Sequence, residues 1–386
     1  MNQQTSENTN SRSLREITPP QIAEMLKKGV KGQDDAVRYA SVAMYKHVTG
    51  VVSGNMLIIG NSGSGKTTLM RNIQRVYNEV PEFRPFRAMT LINANLLVDM
   101  DHLEFRPDRV LVAAEQRART LLGPQATPED LKLFIDHSTI AVDEIDKMAT
   151  VIAGTDKPNP AGIILQEGLL TMMEGDMIAY KTHAFVNGEI REVVIDVDTS
   201  HMMFIAGGAF EKLYEQVYHR VTAPNSGITI RNRLVTTIDG DVRLEPVFLL
   251  KDFLDTGDIF NYGMTPQFMG RFDSTILLNP LNIEVLKQIL YTAPDSPFLR
   301  SKRYFTTMNI DLEIDDFAAS LIAEAAQKDL RTGARAMRPI FANIITPYEF
   351  DPFGRPGLEP KSGGGYRLVV TPEMVRQALI KENDVA

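Results

Sequence analysis

Apolar residues along the 386-residue chain follow two rhythms: compact runs, and longer stretches in which they recur every third or fourth position. Residues 1–13, rich in Asn, Ser, Thr and Gln, have neither rhythm and are expected to form a flexible tail. Pro19 and Pro20 open a helical pattern that Gly29 and Gly32 punctuate and that resumes from Asp34 to His47. The run NMLIIGNSGSGKTTLMRNIQRV, Asn55–Val76, then reads as apolar strand, Gly/Ser loop and helix, the opening of an α/β unit. Further buried strands are expected at Ser138–Asp146 and Met202–Gly208. Between the first two lie a helix ending at Gly123-Pro124 and a second one capped by Thr127, with Pro128 in its first turn. Short apolar runs separated by helices predict an α/β fold, a parallel sheet covered on both faces.

After Asn279-Pro280 the texture changes. DLEIDDFAASLIAEAAQKDL (311–330) puts Phe317, Leu321, Ile322 and Ala325 on one helical face. RAMRPIFANIITPYEF reads as another helix, and GGGYRLVVTPEMVRQALI as a last strand and helix. A boundary at 279–284 therefore separates a large domain, 14–280, from a smaller, mostly helical one, 281–386.

Composition narrows the classes. Hydrophobic residues at 44% and charged residues at 23% are ordinary for a globular protein. The net charge of −8 argues against bulk nucleic-acid binding, which takes a cationic face. With no cysteine, disulfides and thiolate metal sites are excluded. No stretch reaches the ~18 to 20 apolar residues that span a bilayer, and the polar N-terminus carries no secretory apolar core. The expectation is a soluble cytoplasmic protein without membrane partners.

The chemistry concentrates in two places. Gly60-Asn61-Ser62-Gly63-Ser64-Gly65-Lys66-Thr67 matches the phosphate-loop pattern G-x-x-x-x-G-K-[ST] in full. Glycines let successive backbone N–H groups wrap phosphates, and the following helix directs its positive end at them. Lys66 would reach the β- and γ-phosphates of ATP, Thr67 would hold Mg²⁺, and Thr68 joins Asn61–Thr67 as a binding residue. Thr139–Val142 is an apolar strand that ends in Asp143 and Glu144. Acids at the carboxyl end of such a strand sit where open α/β sheets bind ligands. Asp143 would serve magnesium, and Glu144 would activate the attacking water. Arg271 and Arg335 each stand at a helix end, where an arginine is ordinarily a solvated charge.

The order of VKGQDDAVRYASVAMYKH, GNSGSGKTTL, VDEIDKM, LLTMMEGDM, VDTSHMMFIAGGAFEKL, HRVTAPNSGI, TPQFMGRFDSTILLNPL and RTGARAMRPI resembles the ClpX branch of the AAA+ ATPases over residues 17–380, nearly the whole chain. The resemblance implies an ATP-hydrolysing homohexameric ring that unfolds or remodels proteins. It implies that Val30 packs on adenine, that Arg271 is an arginine finger reaching the neighbouring subunit's site, and that Arg335 is the second sensor arginine. Both arginines would meet negative charge spread over phosphoryl oxygens in the transition state. The first sensor stays unassigned, since FIAGG offers glycines.

Three family devices differ. The four-cysteine N-terminal zinc module has no counterpart here. The family's glycine-flanked aromatic pore loop corresponds to NANLLVDMDHLEFRPDRV, which lacks glycine and leaves His102, Leu103 or Phe105 as a bulky group. The segment after His219-Arg220-Val221 keeps Ser226-Gly227-Ile228 but not the Gly-Phe that docks the ClpP peptidase, so that docking is in doubt. Extra length around 110–135 is expected to add a surface helix, open to a partner. The reading is an ATP-driven remodeller with an unnamed client. The alternatives are an ATP-switched scaffold or nucleic-acid-associated component, using Arg106, Arg109, Arg117 and Arg119, and an ATPase subunit of a Clp-type protease.

Overall fold

The computed structural model describes residues 17–51, 54–152, 157–230, 232–236, 242–246, 248–328 and 332–383. The tail expected at 1–13 lies outside them, as does the end of the 311–330 stretch. Contacts divide the chain into two units. One takes in 38–59, 70–277 and the described residues up to Glu24; the other takes in 25–37, 60–69 and the described residues from Leu278 onward.

The first unit is built on five parallel strands. β1 (Met56–Ile59), β2 (Met89–Asn93), the short pair β3 (Val98–Asp99) and β4 (Glu104–Phe105), β5 (Thr139–Asp143), the hairpin β6 (Met177–Val186) and β7 (Glu189–Asp198), and β8 (Met203–Gly208) follow in order. A second hairpin, β9 (Asn232–Thr236) and β10 (Val242–Pro246), precedes β11 (Ser274–Leu277). The sheet order is β11-β1-β8-β5-β2. Its register sets Asn93 beside Asp143 and Asp143 beside Gly207, so these three share the carboxyl end of the sheet. β1 and β8 are buried at every position, as central strands covered on both faces must be.

β5 ends at Asp143, three residues short of the expected Asp146, because Glu144 turns into the left-handed region (φ 61°) and a 3₁₀ turn, Ile145–Met148, follows. β2 and β11 were not foreseen, since each is short and breaks its apolar run with polar residues. Asn187 and Gly188, both at positive φ, turn the chain between β6 and β7, the residue pair a two-residue hairpin loop favours.

The extra segment is integral rather than an appended surface helix. Thr127 caps the helix Pro128–Asp136 as expected, and Leu131, Phe134 and Ile135 are buried in the main core. Burying three such side chains contributes roughly 1.5–3 kcal/mol each, which ties this helix to the fold. The preceding helix Pro107–Leu122 holds the hairpin: Glu115 accepts from Tyr180 Oη (2.5 Å), Thr182 Oγ1 (2.5 Å) and Arg119 Nε (2.6 Å).

In the second unit, β12 (Ile310–Ile314), β13 (Leu358–Pro360) and β14 (Tyr366–Val370) form a small sheet in the order β12-β14-β13. The helices Ile283–Thr292, Pro297–Thr306, Asp316–Lys328, Met337–Phe350 and Pro372–Asn383 complete it, in keeping with a mostly helical C-terminal region. The 311–330 stretch thus opens as a strand. Its helix buries Ala318, Ala319, Ile322, Ala323 and Ala326, while Phe317 is exposed, because the helix starts only at Asp316 and the buried face is set by the small residues.

Candidate functional site

In the second unit, the Gly/Ser loop leaves the end of β1 and runs into the helix Lys66–Glu79. Gly63 (φ 72°) and Gly65 (φ 108°) occupy backbone conformations that side-chain-bearing residues rarely adopt. A Cβ on Gly63 would lie 2.0 Å from the Thr332 carbonyl oxygen, whereas one on Gly65 would meet nothing within 4 Å. One glycine therefore serves close packing and the other keeps space clear. The Ser64 hydroxyl is buried without a hydrogen-bond partner. Lys66 opens the helix and its Nζ donates to the carbonyls of Gly60 and Asn61. Thr67 and Thr68 follow in the first turn, where helix N–H groups lack intrahelical partners. Glycine curvature, an orphaned hydroxyl, a cation and a helix N-terminus together fit a polyphosphate.

Arg335 stands on the 3₁₀ turn Gly333–Ala336 and donates from Nη1 to Ser62 Oγ at 3.1 Å. The structure thus brings together the loop and this arginine, which lie more than 270 residues apart in sequence. Val30 is buried, and a Cβ on neighbouring Gly32 would press on Val285. Sequence reasoning missed Gln33, which is 2% exposed and hydrogen-bonded to both Ser64 and Asn279. A buried polar residue inside the largely polar VKGQDD stretch could not be told from a solvated one.

In the first unit, the acidic pair has its own supports. Asp143 Oδ1 accepts from the Glu144 backbone N–H at 2.9 Å. Glu144 Oε2 accepts from Asn93 Nδ2 at 2.7 Å and pairs with Lys147 Nζ at 2.8 Å. Glu144's carboxylate, hydrogen-bonded to it, holds the Lys147 ammonium above the usual lysine range. Neither Asn93 nor Lys147 was singled out from sequence, since only the register of β2 on β5 reveals Asn93. Asp146 accepts from the backbone N–H groups of Ala209 (3.1 Å) and Phe210 (3.2 Å), fixing the turn after β8. A Cβ on Gly207 would lie 2.6 Å from Met70 Cε and 3.7 Å from Asp143 Oδ1. Met70 thus fills the place where a polar side chain at the end of β8 would go.

Arg271 follows the helix Pro266–Met269, is about half exposed and forms an ion pair with Glu174 of the same protomer. Its carbonyl accepts from Asn55 Nδ2 at 3.1 Å, which anchors the backbone while leaving the side chain at the surface. In the 94–106 loop, Asp99 gathers the N–H groups of Asp101 and His102 and the Arg106 guanidinium. The apolar side chains left outward are Leu96, Met100 and Leu103. Phe105 turns the other way: its ring covers Gly168, where a Cβ would lie 2.1 Å from Phe105 Cγ. It is therefore not the loop's outward bulky group. The four arginines considered as a basic patch are each engaged within the chain: Arg106 by Asp108, Arg109 by the Leu96 carbonyl, Arg117 by Asn78 and Arg119 by Glu115. In the segment after Val221, residues 231, 237–241 and 247 lie outside the described residues. Among the described residues no helix is long and apolar enough to cross a membrane.

Residues 56–222 match the family described as "ATPase family associated with various cellular activities (AAA)". The chain is similar to the "ATP-dependent Clp protease ATP-binding subunit ClpX" of Bacteroides thetaiotaomicron, 25% identical over 387 aligned positions that span 96% of this chain and 84% of that protein. The proteins of the same name from Treponema denticola and Porphyromonas gingivalis are also 25% identical, spanning 93% and 88% of this chain and 81% and 79% of their own lengths. A nucleotide-binding loop in an AAA domain and likeness to ClpX along nearly the whole chain lead to one assignment. The chain carries an AAA ATPase domain over residues 56–222 and is ClpX-like along nearly its whole length.

Proposed function

We propose that this ATPase works as a homohexameric ring in the cytoplasm, coupling ATP hydrolysis to the unfolding or remodelling of a protein client without ClpP docking. The observation that carries the reading is the loop Gly60–Thr67, with its left-handed glycines, Lys66 at a helix N-terminus and Arg335 donating to Ser62. In this reading residues 14–280 act as the large ATPase domain and 281–386 as the smaller one.

Asn61, Ser62, Gly63, Ser64, Gly65, Lys66, Thr67 and Thr68 hold the phosphates of ATP, and Val30 packs on the base. Thr67 and Asp143 are the residues that would hold Mg²⁺, which when bound neutralises charge on the phosphoryl oxygens. Glu144 accepts a proton from the attacking water at its carboxylate, whose resting position Asn93 and Lys147 set. Lys66 and Arg335 stabilise charge on the transferring phosphoryl group, and Arg271 does so from the neighbouring subunit.

The testing experiment is the ATPase rate per subunit against protein concentration, with light scattering to size the particle, with and without Mg-ATP. Specific activity that climbs as hexamers form supports the ring. Full activity in a monomer would overturn it. One observation favours a second reading: Phe105, the one phenylalanine in 93–110, is folded down on Gly168. A subunit that never threads a chain would use nucleotide to switch a scaffold, and its signature is a nucleotide-bound oligomer with negligible turnover.

A further inference from the structure

Gln33 is a buried amide whose hydrogen bonds run to backbone atoms. Its Nε2 donates to the Ser64 carbonyl at 3.0 Å and to the Asn279 carbonyl at 2.9 Å, and its Oε1 accepts from the Asn279 N–H at 2.9 Å. The orientation is dictated by its neighbours, because a flipped amide would set oxygen against two carbonyls and NH₂ against an N–H. At 2% exposure, water offers no ready substitute for these bonds. The two segments it joins have different roles. Ser64 lies between the left-handed glycines of the phosphate loop. Asn279 is the second residue past the end of β11, where the chain has just left the sheet unit.

Ser64 C=O and Gly65 N–H belong to one peptide unit, which is rigid and planar. A phosphate that draws the Gly65 N–H toward itself must rotate that plane, and the Ser64 oxygen moves with it. Gln33 holds that oxygen with the same NH₂ group that holds Asn279.

We propose that Gln33 is a positioning residue that couples the phosphate loop to the chain at Asn279, so that occupancy of the loop by a nucleotide's phosphates is read as a change in the order of the Asn279 backbone. The inference rests on Gly60–Thr67 being the phosphate loop. It concerns how that loop reports its state rather than how it hydrolyses ATP.

The test is hydrogen exchange of the Asn279 amide, read by mass spectrometry on peptides covering 278–283, in full-length protein with and without a slowly hydrolysed Mg-ATP analogue. Binding of a fluorescent adenine nucleotide is titrated in parallel. Wild type should show a nucleotide-dependent change in exchange of about 3- to 10-fold, the scale of one hydrogen bond. In Gln33→Met, nearly the same size but without polar atoms, basal exchange should rise by a similar factor. The nucleotide-dependent change should vanish, with nucleotide affinity kept within about threefold. Gln33→Glu should be worse than Gln33→Met despite its closer shape, because it places carboxylate oxygens against two carbonyls. Persistence of the nucleotide-dependent change in Gln33→Met overturns the proposal. So does wild type that binds nucleotide with no change at Asn279, a measurement that needs no variant. Wild type that binds no nucleotide sinks the phosphate-loop reading itself, and the inference with it.

Discussion

Gly63 has no room for a methyl group. Its φ of 72° already disfavours a side chain, and the Thr332 oxygen that a Cβ would meet at 2.0 Å is backbone that cannot swing aside. Gly63→Ala should therefore weaken nucleotide binding by about 5- to 30-fold, the consequence of about 1–2 kcal/mol of local strain; titration with a fluorescent nucleotide checks this. Gly65→Ala, with open space around it, should act through strain at φ 108° and through contact with bound phosphate instead. Glu144→Gln keeps volume and can still accept from Asn93, but loses the basicity the attacking water needs. It should bind ATP normally and slow turnover by about 100-fold or more, read as retained nucleotide in a single-turnover assay. These residues were legible because phosphate chemistry demands glycine, lysine and hydroxyl at fixed spacing. Asn93 and Lys147 were not, since their relevance depends on the register of β2 and on the turn that follows Asp143.

Among the elements, the helix Asp34–Thr49 is pinned through His47. Its Nδ1 meets Tyr77 Oη at 3.0 Å and its Nε2 meets the His201 carbonyl at 3.0 Å, while His137 and His201 stack nearby with ring centroids 5.4 Å apart. Burial, with the neighbouring His137 charge, pushes the His47 imidazole down to about 3, although the His201 carbonyl works in the opposite direction. Burial lowers His137 as well. The unfolded chain takes up these protons near pH 6.5, before the folded chain does. Stability from His47 is thus fully present above about pH 6.5 and is lost as pH falls from there toward about 3. Urea midpoints should drop between pH 7.5 and 5.5, and His47→Gln, which cannot titrate, should flatten that slope while leaving a share from His137. An unchanged slope would remove His47 from the account. The apolar strands β1, β5 and β8 were readable as short runs, and Thr127 as a cap, because each states its structure locally. β2, β11 and the β6–β7 hairpin state theirs only through partners, so their mixed patterns carry no local signal.

For the whole molecule, the decisive residue is Arg271. Its ion pair with Glu174 joins two half-exposed side chains, worth under about 1 kcal/mol, so the pair does not withhold the guanidinium from a neighbouring subunit. Arg271→Ala should keep ATP binding and ring size yet lose turnover by about 10³-fold. Mixing it with Glu144→Gln protein should restore part of the activity, because one variant supplies an intact Glu144 and the other an intact Arg271. A mixture as inactive as its components would place Arg271 in its own subunit's site. Order along the chain suggested a simple division near 280, whereas contacts group the phosphate loop, 60–69, with 25–37 and the segment from 278 onward. That grouping bears on inheritance. A gene crossover at 280 between relatives would join this Gly63 and Ser62 to a foreign 332–335 turn. The loop and that turn must then descend together, and exchange of the C-terminal segment alone should leave hybrids that fold their sheets yet hold nucleotide badly.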